Sequence, residues 1–285
     1  MTPMSTPTPP APSRDQAAHA PPSLQGLRVL LADDQVINVM ILRKLLTQLG
    51  CSLERVENGE QAIERWQQGH FDLILMDLQM PVLGGLEATR RIRELERTGT
   101  GARTGHVPIV AVTASGLEQD RERCLAADMD AHLARPVALE QLEQALRSAL
   151  CRAGSGRQVQ PAEAVPTTPP LALDLALDLD LEQLRSNLDH DQELLREFAT
   201  AMRREMQQRL QRLQQAAQAA DTAQACAQAH ALRGGLGCVG AAPAVTLTRA
   251  LEHSAAAGDW NRFQQELAQL QPWLQAIESA LAVHG

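Results

Sequence analysis

A chain of 285 residues has room for two ordinary domains, each with its own core. A formal net charge of -8, with no Lys/Arg run interleaved with aromatics, argues against direct DNA or RNA binding. The five cysteines are odd in number, far apart and without a CxxC pair, which argues against a disulfide framework or zinc site and fits a reduced, cytoplasmic setting.

Residues 1–24 are rich in Pro, Thr, Ala and Ser, lack the apolar stretch of a secretory signal, and read as a disordered tail. No later stretch approaches the ~20 apolar residues that cross a bilayer, so no membrane contact is expected and any membrane sensor must be another polypeptide. From Leu27, short apolar runs alternate with amphipathic stretches: RVLLA then Val36 to Leu49, SLERV then Gly59 to Gln68, DLILM then Leu86 to Glu96. PIVAVT, a helix from Glu118 to Ala127, AHLA and a helix from Leu139 to Leu150 complete the series. This alternation predicts a doubly wound α/β domain over 25–150, with a five-stranded parallel sheet. Residues 151–178 contain GSG, several prolines and LALDLALDLD, and read as a flexible linker whose end can start a helix. Over 179–285 the strand pattern is gone. Apolar residues such as Leu195, Phe198, Met202, Leu210 and Leu213 recur at mostly helical spacing, and further segments at Thr222–Leu236, Pro243–Ala257 and Trp260–Leu281 predict an all-α, four-helix bundle.

In a parallel α/β sheet, sites form beyond the C-terminal ends of the strands. There the sequence puts Asp33 and Asp34 after the first strand, Asp77 at the end of the third, Thr113 at the end of the fourth and Arg135 after the fifth. Three converging carboxylates repel unless a cation lies among them, and their hard oxygens suit Mg2+. Nucleophilic carboxylate, metal, hydroxyl and fixed cation are the parts that phosphoryl transfer needs.

The stretches LLADDQVIN, DLILMDLQMPVLGG, PIVAVTAS and ARPV resemble the receiver domain of two-component response regulators. The resemblance implies that Asp77 is the phosphoacceptor and that Asp33, Asp34 and Asp77 hold Mg2+ with the backbone carbonyl of Gln79. It also implies that Thr113 follows the phosphoryl group, and that phosphorylation and hydrolysis are self-catalysed. Three positions depart from the pattern: Arg135 where Lys is usual, a planar fork in place of a compact charge; His132 where an aromatic is usual; and Asp128 where Gly is frequent.

Of the eight histidines, His230 has informative surroundings. In AHALRGGLGCVGA, Arg233 and Gly234 lie one turn beyond it and Gly237 two turns beyond. Each helical glycine costs about 1 kcal/mol relative to Ala. Glycines at 234, 235 and 237 therefore suggest close approach of a partner backbone to the imidazole, with Arg233 steadying a phosphoryl group. With LTRALEHSAAAGDW downstream, the stretch resembles the histidine phosphotransfer (HPt) domain. That resemblance implies a solvent-exposed phosphoacceptor His230 that exchanges phosphate with receiver aspartates. Cys238, standing where Asn is common, is expected to matter little.

Together these readings describe a phosphorelay intermediate that is not a kinase, since no ATP-binding domain or glycine-rich nucleotide loop is legible. Its expected partners are a sensor (hybrid) histidine kinase and a downstream response regulator, with a linker long enough for His230 to reach Asp77 in the same chain. The alternative is an interaction module that is not phosphorylated and titrates a kinase or regulator.

Overall fold

The computed structural model describes residues 23–99, 105–114, 118–154, 179 and 181–284. The expected tail, apart from Ser23 and Leu24, and most of the expected linker lie outside the described residues. Leu24 itself is buried, and its carbonyl accepts a hydrogen bond from Cys51.

Five strands, β1 (Arg28–Ala32), β2 (Ser52–Val56), β3 (Leu73–Asp77), β4 (Ile109–Thr113) and β5 (Ala131–Ala134), alternate with α1 (Val36–Gln48), α2 (Gly59–Gln68), α3 (Gly85–Thr98), α4 (Glu118–Ala126) and α5 (Leu139–Gly154). All strand pairs are parallel, in the order β2-β1-β3-β4-β5. Period-two alternation sends successive side chains to opposite faces. Leu30, Ile74 and Ala111 pack with Ala62, Trp66 and Ile92 of α2 and α3, while Val29, Leu31, Leu75 and Val112 pack with Leu42 and Leu46 of α1 and Leu142 of α5. Burial on both faces explains why β3 and β4 read as unbroken apolar runs. The chain order reverses between β1 and β3, which opens a crevice at their C-terminal ends.

The C-terminal part is helical: a short α6 (Leu181–Asn187), then α7 (Gln192–Ala219), α8 (Thr222–Cys238), α9 (Ala242–Ala256) and α10 (Trp260–His284). Asp191 and Asp221 cap α7 and α8 by accepting hydrogen bonds from backbone N–H groups of their first turns. On α7, Phe198, Met202, Met206 and Leu213 form the buried stripe. Their core is continuous with the α1/α5 face of the sheet, because α1 packs against α6, α7 and α8. Asn187 Nδ2 donates to the Val137 carbonyl at 2.7 Å, and Lys44 pairs with Asp189 at 3.3 Å. No helix among the described residues is long and apolar enough to cross a membrane.

At the opposite, N-terminal edge of the sheet, the buried Arg93 donates to the carbonyls of Asp128 and Val107 and to the carboxylates of Glu96 and Asp130. His106 completes this clasp through Asp130 at 2.7 Å and Glu96 at 3.5 Å. Asp128 adopts φ 65°, a conformation Asp tolerates better than most residues. The hydrogen bonds to Asp130 and Glu96 outweigh burial and push the His106 imidazole up to about 9. A histidine raised in this way stabilises fully below its ordinary 6.5 and loses that contribution as pH climbs through about 9. Glu96 behaves oppositely: burial opposes its ionisation, but His106, Arg93 and the Val107 N–H hold it below 4.5, so its contribution disappears as pH falls below that value. Urea unfolding of His106→Ala should therefore show a deficit at pH 6 that vanishes above about pH 9; a deficit independent of pH would contradict the assignment.

Candidate functional site

The strand registers align the functional side chains. Ala32 pairs with Met76, Asp77 with Val112 and Thr113 with Ala134, so Asp33, Asp77, Thr113 and Arg135 emerge side by side at the crevice. Carboxylate oxygens of Asp33, Asp34 and Asp77 lie within 4.8 Å of one another. Arg135, which precedes cis Pro136, reaches back with Nη2 at 2.7 Å from Asp33 Oδ2 and 3.2 Å from Asp77 Oδ2. Asp33, Asp77, Thr113 and Arg135 are all buried. Asn38 of α1 donates to both Asp33 oxygens, and Arg55 of β2 donates to the Asp33 and Asp34 carbonyls, which holds the loop after β1.

Burial pushes Asp33 up to about 7; Arg135 opposes this and Asp77 adds to it. Burial and Asp77 likewise raise Asp34, while Arg209 and His230 oppose. Arg135 keeps its proton more tightly than usual, because Asp77 and Asp33 outweigh its own burial. Arg135 thus touches two of the three carboxylates, and Asp34 Oδ1 is buried without a hydrogen-bond partner. Hard oxygens in excess of positive charge are a donor set that fits Mg2+.

The α8 helix crosses this crevice. Arg233 Nη2 lies 2.7 Å from His230 Nδ1 and donates to Gln79 Oε1 at 2.9 Å, two residues beyond Asp77. The Gln79 N–H in turn points to Asp77 Oδ1 at 3.4 Å. At Gly234 a β-carbon would lie 2.4 Å from the Gln35 side-chain amide, and at Gly237 it would be 3.6 Å from Arg135 Cβ and 3.7 Å from the Ala114 carbonyl. These two glycines face the sheet domain as their spacing suggests. Gly235 does not: it faces Met202 in the bundle core, 100° further round the helix.

Two expectations need correction. His230 is not fully exposed: its side chain retains 18% accessibility, because the α/β domain covers its helix. Cys238 is not incidental either. Buried in the interface, it donates to Asn38 Oδ1 at 2.8 Å, and Asn38 holds Asp33. Burial pushes its thiol up to about 12. His132 is half-buried on β5, paired with Ala111 across the sheet.

Sequence reasoning missed Glu252 on α9. Its Oε1 lies 3.3 Å from His230 Nδ1 and 3.4 Å from Arg233 Nε, at ion-pair distance but hydrogen-bonded to neither. Arg233 can only donate, so His230 Nδ1 accepts from it in this arrangement, with the Glu252 carboxylate beside it. Nε2 carries the lone pair only when the ring proton moves to Nδ1. The signal was present in the LE of LTRALEHSAAAGDW.

The family model for the response regulator receiver domain matches residues 29–147, and that for the Hpt domain matches residues 197–280. The virulence sensor protein BvgS of Bordetella bronchiseptica is 34% identical over 253 residues, covering 87% of this chain and 20% of that protein. Probable histidine kinase 1 of Oryza sativa subsp. indica is 34% identical over 154 residues, 45% of this chain and 16% of that protein. The chain therefore spans a fifth or less of these curated relatives. Among solved structures, the receiver domain of sensor histidine kinase PA1611 from Pseudomonas aeruginosa PAO1, with a magnesium ion in its active site cleft, shares 36% identity over 44% of this chain and 98% of that one, with a TM-score of 0.39. The co-crystal structure of Saccharomyces cerevisiae Ypd1 with the receiver domain of Ssk1 shares 34% identity over 45% of this chain and 91% of that one, with a TM-score of 0.41.

Proposed function

This chain joins a response regulator receiver domain to an Hpt domain, and from that premise we propose that in a two-component phosphorelay it carries a phosphoryl group on Asp77 and on His230 and passes it between them within one molecule. The observation that carries this reading is the Arg233 bridge from His230 Nδ1 to Gln79, which apposes the imidazole and the Asp77 loop.

Asp77 is already a nucleophile as a carboxylate, so no base is needed: its oxygen bonds to phosphorus as the donor bond breaks, giving an acyl phosphate. Arg135 balances charge on the equatorial oxygens and Thr113 offers them its hydroxyl. Mg2+, held by Asp33, Asp34, Asp77 and the Gln79 carbonyl, supplies when bound the further positive charge that transfer to and from Asp77 requires. For His230 to take the phosphoryl group through Nε2 as the Asp77 oxygen leaves, Arg233 releases Nδ1 and the ring proton moves from Nε2 to Nδ1, where the neighbouring Glu252 carboxylate stabilises the ring's growing positive charge. Arg233 steadies the phosphoryl oxygens. The reverse transfer uses the same groups.

The two matched domains are a receiver and an Hpt domain, and we assign them the part of phosphoryl carriers. We assign the chain a cytoplasmic place between a sensor (hybrid) histidine kinase and the receiver of a separate response regulator. The test is labelling of wild type, Asp77→Asn and His230→Gln with radiolabelled acetyl phosphate and Mg2+. Wild type should acquire both alkali-labile acyl phosphate and alkali-stable phosphohistidine, His230→Gln only the former, and Asp77→Asn neither. Wild type that takes no label from acetyl phosphate or from a phosphorylated sensor would favour the titrating interaction module. Equal phosphohistidine in Asp77→Asn would overturn the internal transfer.

A further inference from the structure

Around the transfer site the interface carries a second layer of charge that the chemistry does not use. Glu205 and Arg209 are one turn apart on α7, joined at 3.4 Å, and both are largely covered, with 18% and 19% of their side chains accessible. They line one cleft with Asp34 and Val36 of the receiver domain. Arg209 Nη1 also donates at 2.9 Å to Gln228, a buried residue two positions before His230, so this pair is tied to the phosphoacceptor helix. On the receiver side, behind the cleft-lining Asp34, Arg55 holds the carbonyls of Asp33 and Asp34 at 3.2 and 3.0 Å. The charges therefore alternate in sign between domains: Arg55 and Asp34 on the receiver, Glu205 and Arg209 on the bundle. The same crossing shows in the electrostatics. Burial raises Asp34 and Arg209 relieves it; burial raises Glu205, Arg209 and Arg55 relieve it, and Asp34 opposes them.

We propose that Glu205 and Arg209 select the receiver on which this Hpt domain docks, favouring one that presents a cation at the place of Arg55 beside the acidic loop, as the receiver of this chain does. A receiver with a neutral or acidic residue there would leave Glu205 facing Asp34 without compensation. Like charges brought together at an interface are strongly disfavoured, and complementary ones fix register and partner choice. The inference deepens the phosphotransfer reading and rests on it for its kinetic readout.

The experiment compares full-length wild type, Glu205→Arg, Arg209→Ala and the exchange pair Arg55→Glu/Glu205→Arg. Two measurements are made: conversion of label from Asp77 to His230 after acetyl phosphate treatment, and alkylation of Cys238, which is buried where its thiol meets Asn38 of the receiver domain. Glu205→Arg places three cations together. It should slow conversion about tenfold and expose Cys238, while Asp77 still takes label, because a charge reversal at a close interfacial pair costs at least ~1.4 kcal/mol. Arg209→Ala should act in the same direction. The exchange pair should recover protection of Cys238 to within about threefold of wild type, the signature of electrostatic coupling across the interface. Unaltered protection in Glu205→Arg, or an exchange pair no better than Glu205→Arg alone, overturns the proposal. If wild type transfers no phosphate yet Cys238 follows this pattern, the docking code stands and the phosphotransfer reading fails.

Discussion

Replacing Arg135 with alanine is expected to destabilise the protein by about 3–5 kcal/mol in metal-free buffer, the usual cost of removing one partner from a buried ion pair. Arg135 is the cation that touches Asp33 and Asp77, both of which are buried. Without it, Asp33 and Asp77, in a cluster of three carboxylates within 4.8 Å of one another, would lose the cation that both touch. On the proposed function Mg2+ binds the native cluster and not the unfolded chain, so millimolar Mg2+ should return most of the loss. The deficit should also shrink in acid. A carboxyl raised to about 7, as Asp33 is, costs stability above that pH and nothing once it is protonated in both states. Urea unfolding in EDTA and in Mg2+, at several pH values, measures both effects. Stability equal to wild type in EDTA, or indifference to Mg2+, would show that Arg135 is not the counter-charge of this cluster.

That cluster was legible in the sequence because strand ends can be located from apolar runs, and the residues following them must emerge at one edge of a parallel sheet. Asp33, Asp34, Asp77, Thr113 and Arg135 each needed only local pattern plus topology. His230 was legible through glycine placement, since the cost of helical glycines asks for a reason and Gly234 and Gly237 supply it at the interface. Glu252 was not, because its approach to Nδ1 depends on how α9 packs against α8. The Asn38–Cys238 bond, the Arg55 hold on the acidic loop and the burial of His230 were hidden for a related reason. Each joins groups far apart in the chain, and two of the three exist only when the domains are docked. Residue 235 was misassigned because three glycines in four positions do not share one helical face.

The docking geometry gives the second large expectation: Gly234→Leu should abolish most internal transfer while leaving Asp77 competent. A β-carbon there already meets the Gln35 amide at 2.4 Å, and Gln35 is buried, so a whole isobutyl group has to displace that side chain within the interface. The domains are then expected to separate or tilt. A displacement of about 1 Å between reacting groups can cost on the order of 100-fold in rate, so label should accumulate on Asp77 and reach His230 about 100-fold more slowly. Unfolding is not the cause to expect, because replacing a helical glycine with leucine favours α8 by up to about 1 kcal/mol. Circular dichroism should accordingly show an intact bundle, and Cys238 should become open to alkylation as its bond to Asn38 is lost. Transfer at the wild-type rate with Cys238 still protected would mean that the helix tolerates the side chain and that the close approach at Gly234 does not govern the reaction. Phosphohistidine that forms normally while Cys238 is exposed would instead place the transfer between separate molecules.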